Sequence, residues 1–374
     1  MKILHICSDF AKQSIYNQLI THLSQDGNCS QFIFVPCRSI EEIGKNKNLK
    51  LNNVQYFYCK ILNKFDRFLF RRKILKTTKA AMDFQNNADI VHAHFLFSDG
   101  AIALEYYYKF NTPYIVAVRN TDINYFFKYM IHLRNTGVEI LKHASKIIFL
   151  SSSYKFQLLN NYIPNDIRKD IESKSLVIPN GVAPFWIENI FQSNKILKNP
   201  ISIVYVGDFS KNKNIQNTIS ALSLMRKNGL QIIFSIVGGG GDYQNQIFKL
   251  IRSNSSWIKY FPRTNNKSEL KSIFQESHIF CMPSKFETFG LAYIEAMTQG
   301  LPVVFTKNQG IDGYFEAGEI GVAVENNDIE NLILGIHEIL NNYKFMSNNC
   351  LKHSKLFSWD IISHQYLELY KSLI

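Results

Sequence analysis

Glu287 and Glu295 stand eight positions apart in the run Pro283-Ser284-Lys285-Phe286-Glu287-Thr288-Phe289-Gly290-Leu291-Ala292-Tyr293-Ile294-Glu295-Ala296-Met297. Seven residues lie between the two carboxylates. Eight helical steps would span about 12 Å, which is the reach from a ribose across a diphosphate to a sugar ring. A helix is expected from Phe289 to Gly300, with Pro302 as a stop signal and Glu287 just ahead of it. The free N–H groups and dipole at its start favour a phosphate between the two glutamates. Gly290 removes a side chain where a ligand would touch backbone. Phe289, Ala292, Tyr293 and Ala296 recur at helical spacing as a buried face that excludes Glu295. The same pattern also fits a strand, a loop and an amphipathic helix with two solvated glutamates.

This run resembles the paired-glutamate signature of the retaining, GT-B-fold glycosyltransferases called group 1, and it matches nearly every motif position. The resemblance implies that Glu287 contacts the hydroxyls of a donor sugar and Glu295 the ribose of a nucleotide. The backbone amides of Phe289, Gly290 and Leu291 would meet sugar and phosphates, with Thr288 in the same donor-binding set. Val206-Gly207-Asp208-Phe209-Ser210-Lys211-Asn212-Lys213-Asn214 resembles the family's Gly-Arg-x-x-x-x-Lys-Gly loop, whose basic pair clamps the donor diphosphate. Lys213 matches the lysine, but Asp208 stands where arginine is usual and would repel a diphosphate. Lys211 or Arg263 is expected to supply the missing charge, or else the donor is held more weakly. An ordinary lysine-rich surface loop is the alternative.

Gly238-Gly239-Gly240-Gly241 agrees with the family's cleft-lining Gly-x-Gly. A dinucleotide fingerprint would need glycine where Tyr243 stands, which argues against a nicotinamide or flavin enzyme. Arg119-Asn120-Thr121-Asp122 occupies the place of the family's His-Gly-x-Asp, which faces the reaction centre. Asp122 is retained, and Arg119 suits an acidic or phosphorylated acceptor or the donor phosphate. The alternative is an arginine buried in an ion pair with Asp122. His92 and His94 are assigned to opposite faces of their strand, with His94 toward the ligand and His92 in the core. Taken together, the catalytic set is Glu287, Lys213, Arg119 and Asp122, and the acceptor side is Asp9, His94, Arg119 and Asp122. No Asp-x-Asp motif is present, so neither a metal nor a cofactor is expected.

These residues need elements to position them. The 374-residue chain is long enough for two domains. Short apolar runs at Ile3 to Cys7, Phe32 to Pro36, Val54 to Tyr58, Ala88 to His94, Tyr114 to Val118 and Lys146 to Leu150 alternate with helical segments. That alternation predicts a parallel, doubly wound sheet with ligands beyond the strand C-termini. A second alternation runs from Ile201 to Thr306, with the linker expected between Ser193 and Pro200. The fold class is therefore α/β, with two Rossmann-like domains facing a cleft. The boundaries are set at 1–190, 191–356 and 357–374, the last a helix crossing back to the first domain as in GT-B proteins.

Composition narrows the partners. The chain is 46% hydrophobic, as globular chains are, and no apolar run approaches the roughly 20 residues needed to span a bilayer. The N-terminus reads as a first strand without a cleavage site. Its six cysteines are scattered, which fits reduced thiols in the cytoplasm. The net charge of +12 suits anionic small substrates, an anionic membrane surface or nucleic acid. Aromatics and bases interleave from Phe65 to Leu75, around Arg67, Phe68, Arg71 and Arg72. That stretch fits peripheral contact with an inner membrane, and fits better a surface helix packed on its own domain. No nucleic-acid-binding motif is found. The expected partners are a nucleotide-sugar donor and a sugar or lipid-linked oligosaccharide acceptor, in bacterial capsule, lipopolysaccharide or exopolysaccharide assembly. A GT-B protein of other activity, such as an epimerase or an inactive paralogue, is the alternative.

Overall fold

The computed structural model describes residues 1–67, 69–193 and 195–374; Phe68 of the basic–aromatic stretch and Asn194 of the expected linker lie outside the described residues. The chain forms two compact units. Met1–Leu150, Tyr154–Gly181 and Trp359–Ile374 make the first, and Ser151–Ser153 with Val182–Ser358 the second.

The first unit holds seven parallel strands: β1 (Lys2–Ile6), β2 (Ser30–Cys37), β3 (Val54–Lys60), β4 (Ile90–Ala93), β5 (Tyr114–Val118), β6 (Lys146–Phe149) and β7 (Ser175–Val177). Their order is β3-β2-β1-β4-β5-β6-β7. Period-two alternation sends Leu4, Ile6, Val91 and Val116 to one core, with Ile74 and Ala81 of the Phe70–Phe84 helix. Ile3, Ile90, Ile115 and Ile148 face the other way. They pack against Leu19 and Leu23 and against Trp359, Ile362, Tyr366 and Tyr370 of the C-terminal helix. Gly181 is required by that packing, because a Cβ there would lie 2.6 Å from the Trp359 indole.

The second unit has six parallel strands: β8 (Ile201–Gly207), β9 (Ile232–Gly238), β10 (Ile258–Pro262), β11 (Ile279–Cys281), β12 (Val303–Thr306) and β13 (Gly321–Val324). Their order is β10-β9-β8-β11-β12-β13. Each sheet reverses its winding once, between β1 and β4 and between β8 and β11. Such switch points leave a crevice beyond the strand C-termini. β8 feeds the Gly207 loop, and β11 feeds the paired-glutamate loop.

Two expectations are corrected. The helix carrying Glu295 runs over Leu291–Met297 and does not start at Phe289. Gly290 precedes it with φ +84°, a left-handed conformation that interrupts any earlier start. The Phe65 to Leu75 stretch is not one helix either. A 3₁₀ turn covers Lys64–Arg67, and the α-helix begins at Phe70. Among the described residues, no helix is long and apolar enough to cross a membrane.

Candidate active site

In the second unit a cavity of about 530 Å³ lies beyond the ends of β8, β9, β10 and β11. Gly207, Asp208 and Lys213 line it from the β8 loop, Gly238 from β9, and Arg263 and Lys267 from the segment after β10. Glu287, Gly290, Leu291 and Glu295 line it from the segment after β11. Of the donor-binding set, Thr288 and Phe289 stand outside these walls. Phe289 is buried, its ring 5.5 Å from that of Phe357. Gly238 must be glycine, since a Cβ would meet the Gly207 carbonyl oxygen at 1.8 Å.

The β8 loop and the glutamate loop are tied by Asn212. Its carbonyl accepts from Lys285 N (2.7 Å), its Oδ1 from Phe286 N (3.0 Å), and its Nδ2 donates to Phe286 O (2.9 Å). The next residue, Lys213, thereby reaches Glu287, Nζ to Oε2 at 2.7 Å, with side chains 17% and 16% exposed. This partly desolvated pair joins the two groups expected to meet donor phosphate and donor sugar. Glu295 sits at the other end of the paired-glutamate run. Burial pushes its carboxyl up to about 7, while Trp186 and Lys267 act in the opposite direction.

Asp208 is exposed, and its Oδ1 accepts from Ser210 N at 3.0 Å, an Asx turn that shapes the loop. It lines the cavity as well. Lys211 does not, because its ammonium lies over the Tyr243 ring, 5.6 Å from the centroid. Of the two residues proposed to replace the missing arginine, only Arg263 is at the site. Asp208→Arg is therefore expected to tighten nucleoside diphosphate binding by about 1 kcal/mol as a repulsive charge becomes attractive. The lost Asx turn should lower stability by no more than about 1 kcal/mol. Calorimetry and thermal melting of this variant check both parts.

In the first unit a cavity of about 420 Å³ lies beyond β1 and β4, and Asp9 and Asp122 line it. Asp9 pairs with Lys12 at 2.9 Å. Asp122 is buried and accepts from the backbone N–H of Arg119 (2.8 Å), Leu96 (3.2 Å) and Phe97 (3.3 Å). Burial nonetheless pushes its carboxyl up to about 6. Asp122 thus ties the loop after β4 to the loop after β5. Among the described residues, Arg119 forms no ion pair with it. The guanidinium instead donates from Nε to the His94 carbonyl (3.1 Å) and lies over the Tyr16 ring (5.9 Å).

The opposite-face assignment of His92 and His94 is wrong. Residues two apart on a strand share a face. Their rings stack with centroids 4.1 Å apart, both buried, and His5 joins them with Nδ1 3.1 Å from His94 Nε2. The Tyr370 hydroxyl lies 2.7 Å from His92 Nδ1. Burial pushes all three imidazoles far below the ordinary value, so they are neutral. His94 is part of this cluster and does not line the cavity.

Residues 187–354 match the family model described as glycosyl transferases group 1. An uncharacterized glycosyltransferase of Methanocaldococcus jannaschii is 25% identical over 335 residues, covering 88% of this chain and 86% of the relative. Among solved structures, the lipopolysaccharide outer core galactosyltransferase WaaB in its apo form superposes with a TM-score of 0.74 at 16% identity, over 100% of both chains. Anabaena HepE, in complex with UDP and glucose, does so with a TM-score of 0.68 at 16% identity, again over 100% of both chains. These neighbours have the GT-B fold, and the two parallel sheets described above are its Rossmann-like halves. The family match falls inside the second unit and the relative extends over both, which is consistent with a group 1 glycosyltransferase.

Proposed function

We propose that the protein is a retaining glycosyltransferase that moves a sugar from a nucleotide-sugar to an acceptor hydroxyl in bacterial surface polysaccharide assembly. The observation that carries this reading is one cavity holding Glu295 together with the Lys213–Glu287 pair. Glu295 takes the ribose hydroxyls, Lys213 and Arg263 the diphosphate, and Glu287 the sugar hydroxyls. The UDP and glucose held by HepE and the lipopolysaccharide role in WaaB's name support the donor class and the setting. Phe65, Leu69 and Leu75 are exposed near Arg71 and Arg72, which fits peripheral contact with an anionic membrane from the cytoplasmic side.

In the reaction, the bond from the anomeric carbon to the diphosphate oxygen breaks through an oxocarbenium-like transition state. The acceptor oxygen attacks from the face the phosphate leaves, and its proton passes to the departing phosphate oxygen. The protein orients the two reactants and stabilises the charge growing on the diphosphate. Lys213 is held by Glu287 before any donor arrives, so its ammonium is already aimed into the cavity. Asp9, Arg119, Asp122 and His94 shape the acceptor side, the last through its carbonyl bond from Arg119.

A thermal-shift screen against UDP, GDP, ADP and CDP tests the reading, because a ligand of the native state raises its midpoint. At least one should do so; no shift with any of the four contradicts it. An inverted anomeric configuration in the product, read by NMR, would overturn the retaining step.

Two predictions concern the glutamates. Glu287→Gln is expected to spare nucleoside diphosphate binding and to lower turnover about tenfold or more, since its partner is the sugar. Steady-state kinetics and calorimetry read the two effects separately. Glu295 imposes a pH dependence. With its carboxyl raised to about 7, it is protonated below that pH and must lose the proton to accept both ribose hydroxyls. Nucleoside diphosphate affinity should therefore rise as pH passes upward through about 7, with a proton released on binding near and below it. Glu295→Gln should abolish that release, measured by calorimetry in buffers of different ionisation enthalpy.

A further inference from the structure

The walls of the first unit's cavity carry four carboxylates and several cations, and most of these charges are already engaged. Asp9 pairs with Lys12 at 2.9 Å, and Asp66 pairs with Lys76 at 2.7 Å. Asp66 also accepts from Asn63 N at 2.6 Å, and Glu42 accepts from Arg38 N at 2.7 Å. Asp122 is held by three backbone amides. Two cations remain. Lys73, half-buried in the first turn of the Phe70–Phe84 helix, donates to Ser98 Oγ at 2.6 Å. Among the described residues no carboxylate lies within the 4.0 Å of an ion pair with it. Arg38, exposed at the end of β2, donates from Nη1 to the Asn63 carbonyl at 3.2 Å and likewise has no ion pair among the described residues.

A cation half withdrawn from water and without a close ion pair is held at a cost that an anion of the right placement reduces. Burial holds the Lys73 ammonium below its usual range, with Arg38 acting in the same direction and the more distant carboxylates of Asp99, Asp66 and Asp9 against it. Phe95 and Phe126 add flat apolar surface to the same walls. A cavity of about 420 Å³ falls in the size range of small-molecule sites.

We propose that this cavity binds an acceptor sugar that carries an anionic group, phosphoryl or carboxylate, with Lys73 and Arg38 gripping that group. The proposal rests on the glycosyltransferase reading and narrows its acceptor from sugars in general to acidic ones. Lys73 supplies a half-buried point charge in the cavity wall. Arg38, exposed in the same wall, supplies the remaining arms of a planar fork. The phosphoryl group can belong to a soluble sugar phosphate or to the head of a lipid-linked acceptor; the chemistry recognised is the same.

The test uses the full chain in thermal-shift titrations with glucose, glucose 6-phosphate and glucuronate. Cosedimentation with phosphatidylglycerol vesicles, compared with phosphatidylcholine, forms a second arm. At least one anionic probe should bind where its neutral counterpart does not, and Lys73→Ala should weaken that binding about tenfold or more. Arg38→Ala should weaken it too, and because Arg38 is exposed that variant is expected to fold. A shift by glucose 6-phosphate or glucuronate assigns the group to a soluble sugar. Binding confined to the anionic vesicles and lost in Lys73→Ala assigns it to a lipid head. The idea is overturned if glucose stabilises as well as its anionic derivatives, if both variants bind like wild type, or if no anionic probe binds in either arm. The nucleoside diphosphate shift, retained in both variants, shows that they are folded. Its absence from wild type would count against the donor site alone.

Discussion

Lys213→Ala is expected to leave almost no transfer activity. In a typical relative, arginine and lysine in the β8 loop would share the diphosphate charge, but here the arginine position is Asp208. Lys213 is then the basic side chain that this loop aims into the cavity, since Lys211 lies over Tyr243. Removing a preorganised donor aimed at charge developing in the transition state typically lowers turnover by about 10²–10³. The loss should reach the upper end because Asp208 remains and repels the phosphate. The variant also strips Glu287 of its 2.7 Å partner, leaving a partly desolvated carboxylate that repels the donor further. Kinetics should show a fall in kcat well beyond any rise in KM. Activity within about tenfold of wild type would remove Lys213 from the machinery.

Glu295→Ala should produce the largest loss of nucleotide affinity. The carboxyl lies in the cavity wall on the Leu291–Met297 helix, beside Trp186 and Lys267. Hydrogen bonds to a charged group contribute about 1.5–3 kcal/mol, so the nucleoside diphosphate should bind roughly tenfold to a hundredfold more weakly. Stability should hold or rise, because a carboxyl that burial disfavours has been removed. Unchanged affinity in calorimetry would remove the ribose assignment.

Much of this was legible in the chain. Apolar runs separated by helical segments dictate two parallel sheets, because only crossover helices join parallel neighbours. The two glutamates, Lys213 and Gly238 could be placed at one site because their motifs lie at or beyond the C-terminal ends of β8, β9 and β11. Other features were not legible, for definite physical reasons. β7 is three residues long with exposed Leu176 at its centre, so it presents no buried apolar run. The Asn212 clasp and the Lys213–Glu287 pair join residues 74 positions apart, and no local pattern encodes such contacts. Lys73 looks like any helix-surface lysine until its half-buried place in the cavity wall, without a close ion pair among the described residues, is seen in three dimensions. The histidines were legible but misread, since period-two geometry already puts His92 and His94 on one face.

The central claim is that the second unit's cavity is the donor site. Amide hydrogen exchange with and without the stabilising nucleoside diphosphate tests it directly, because ligand contact suppresses local opening. Slowed exchange is expected in residues 207–214, 263–267 and 285–295, with the loops after β1 and β4 unchanged. Protection confined to the loops of the first unit, or none in those three segments, would contradict it.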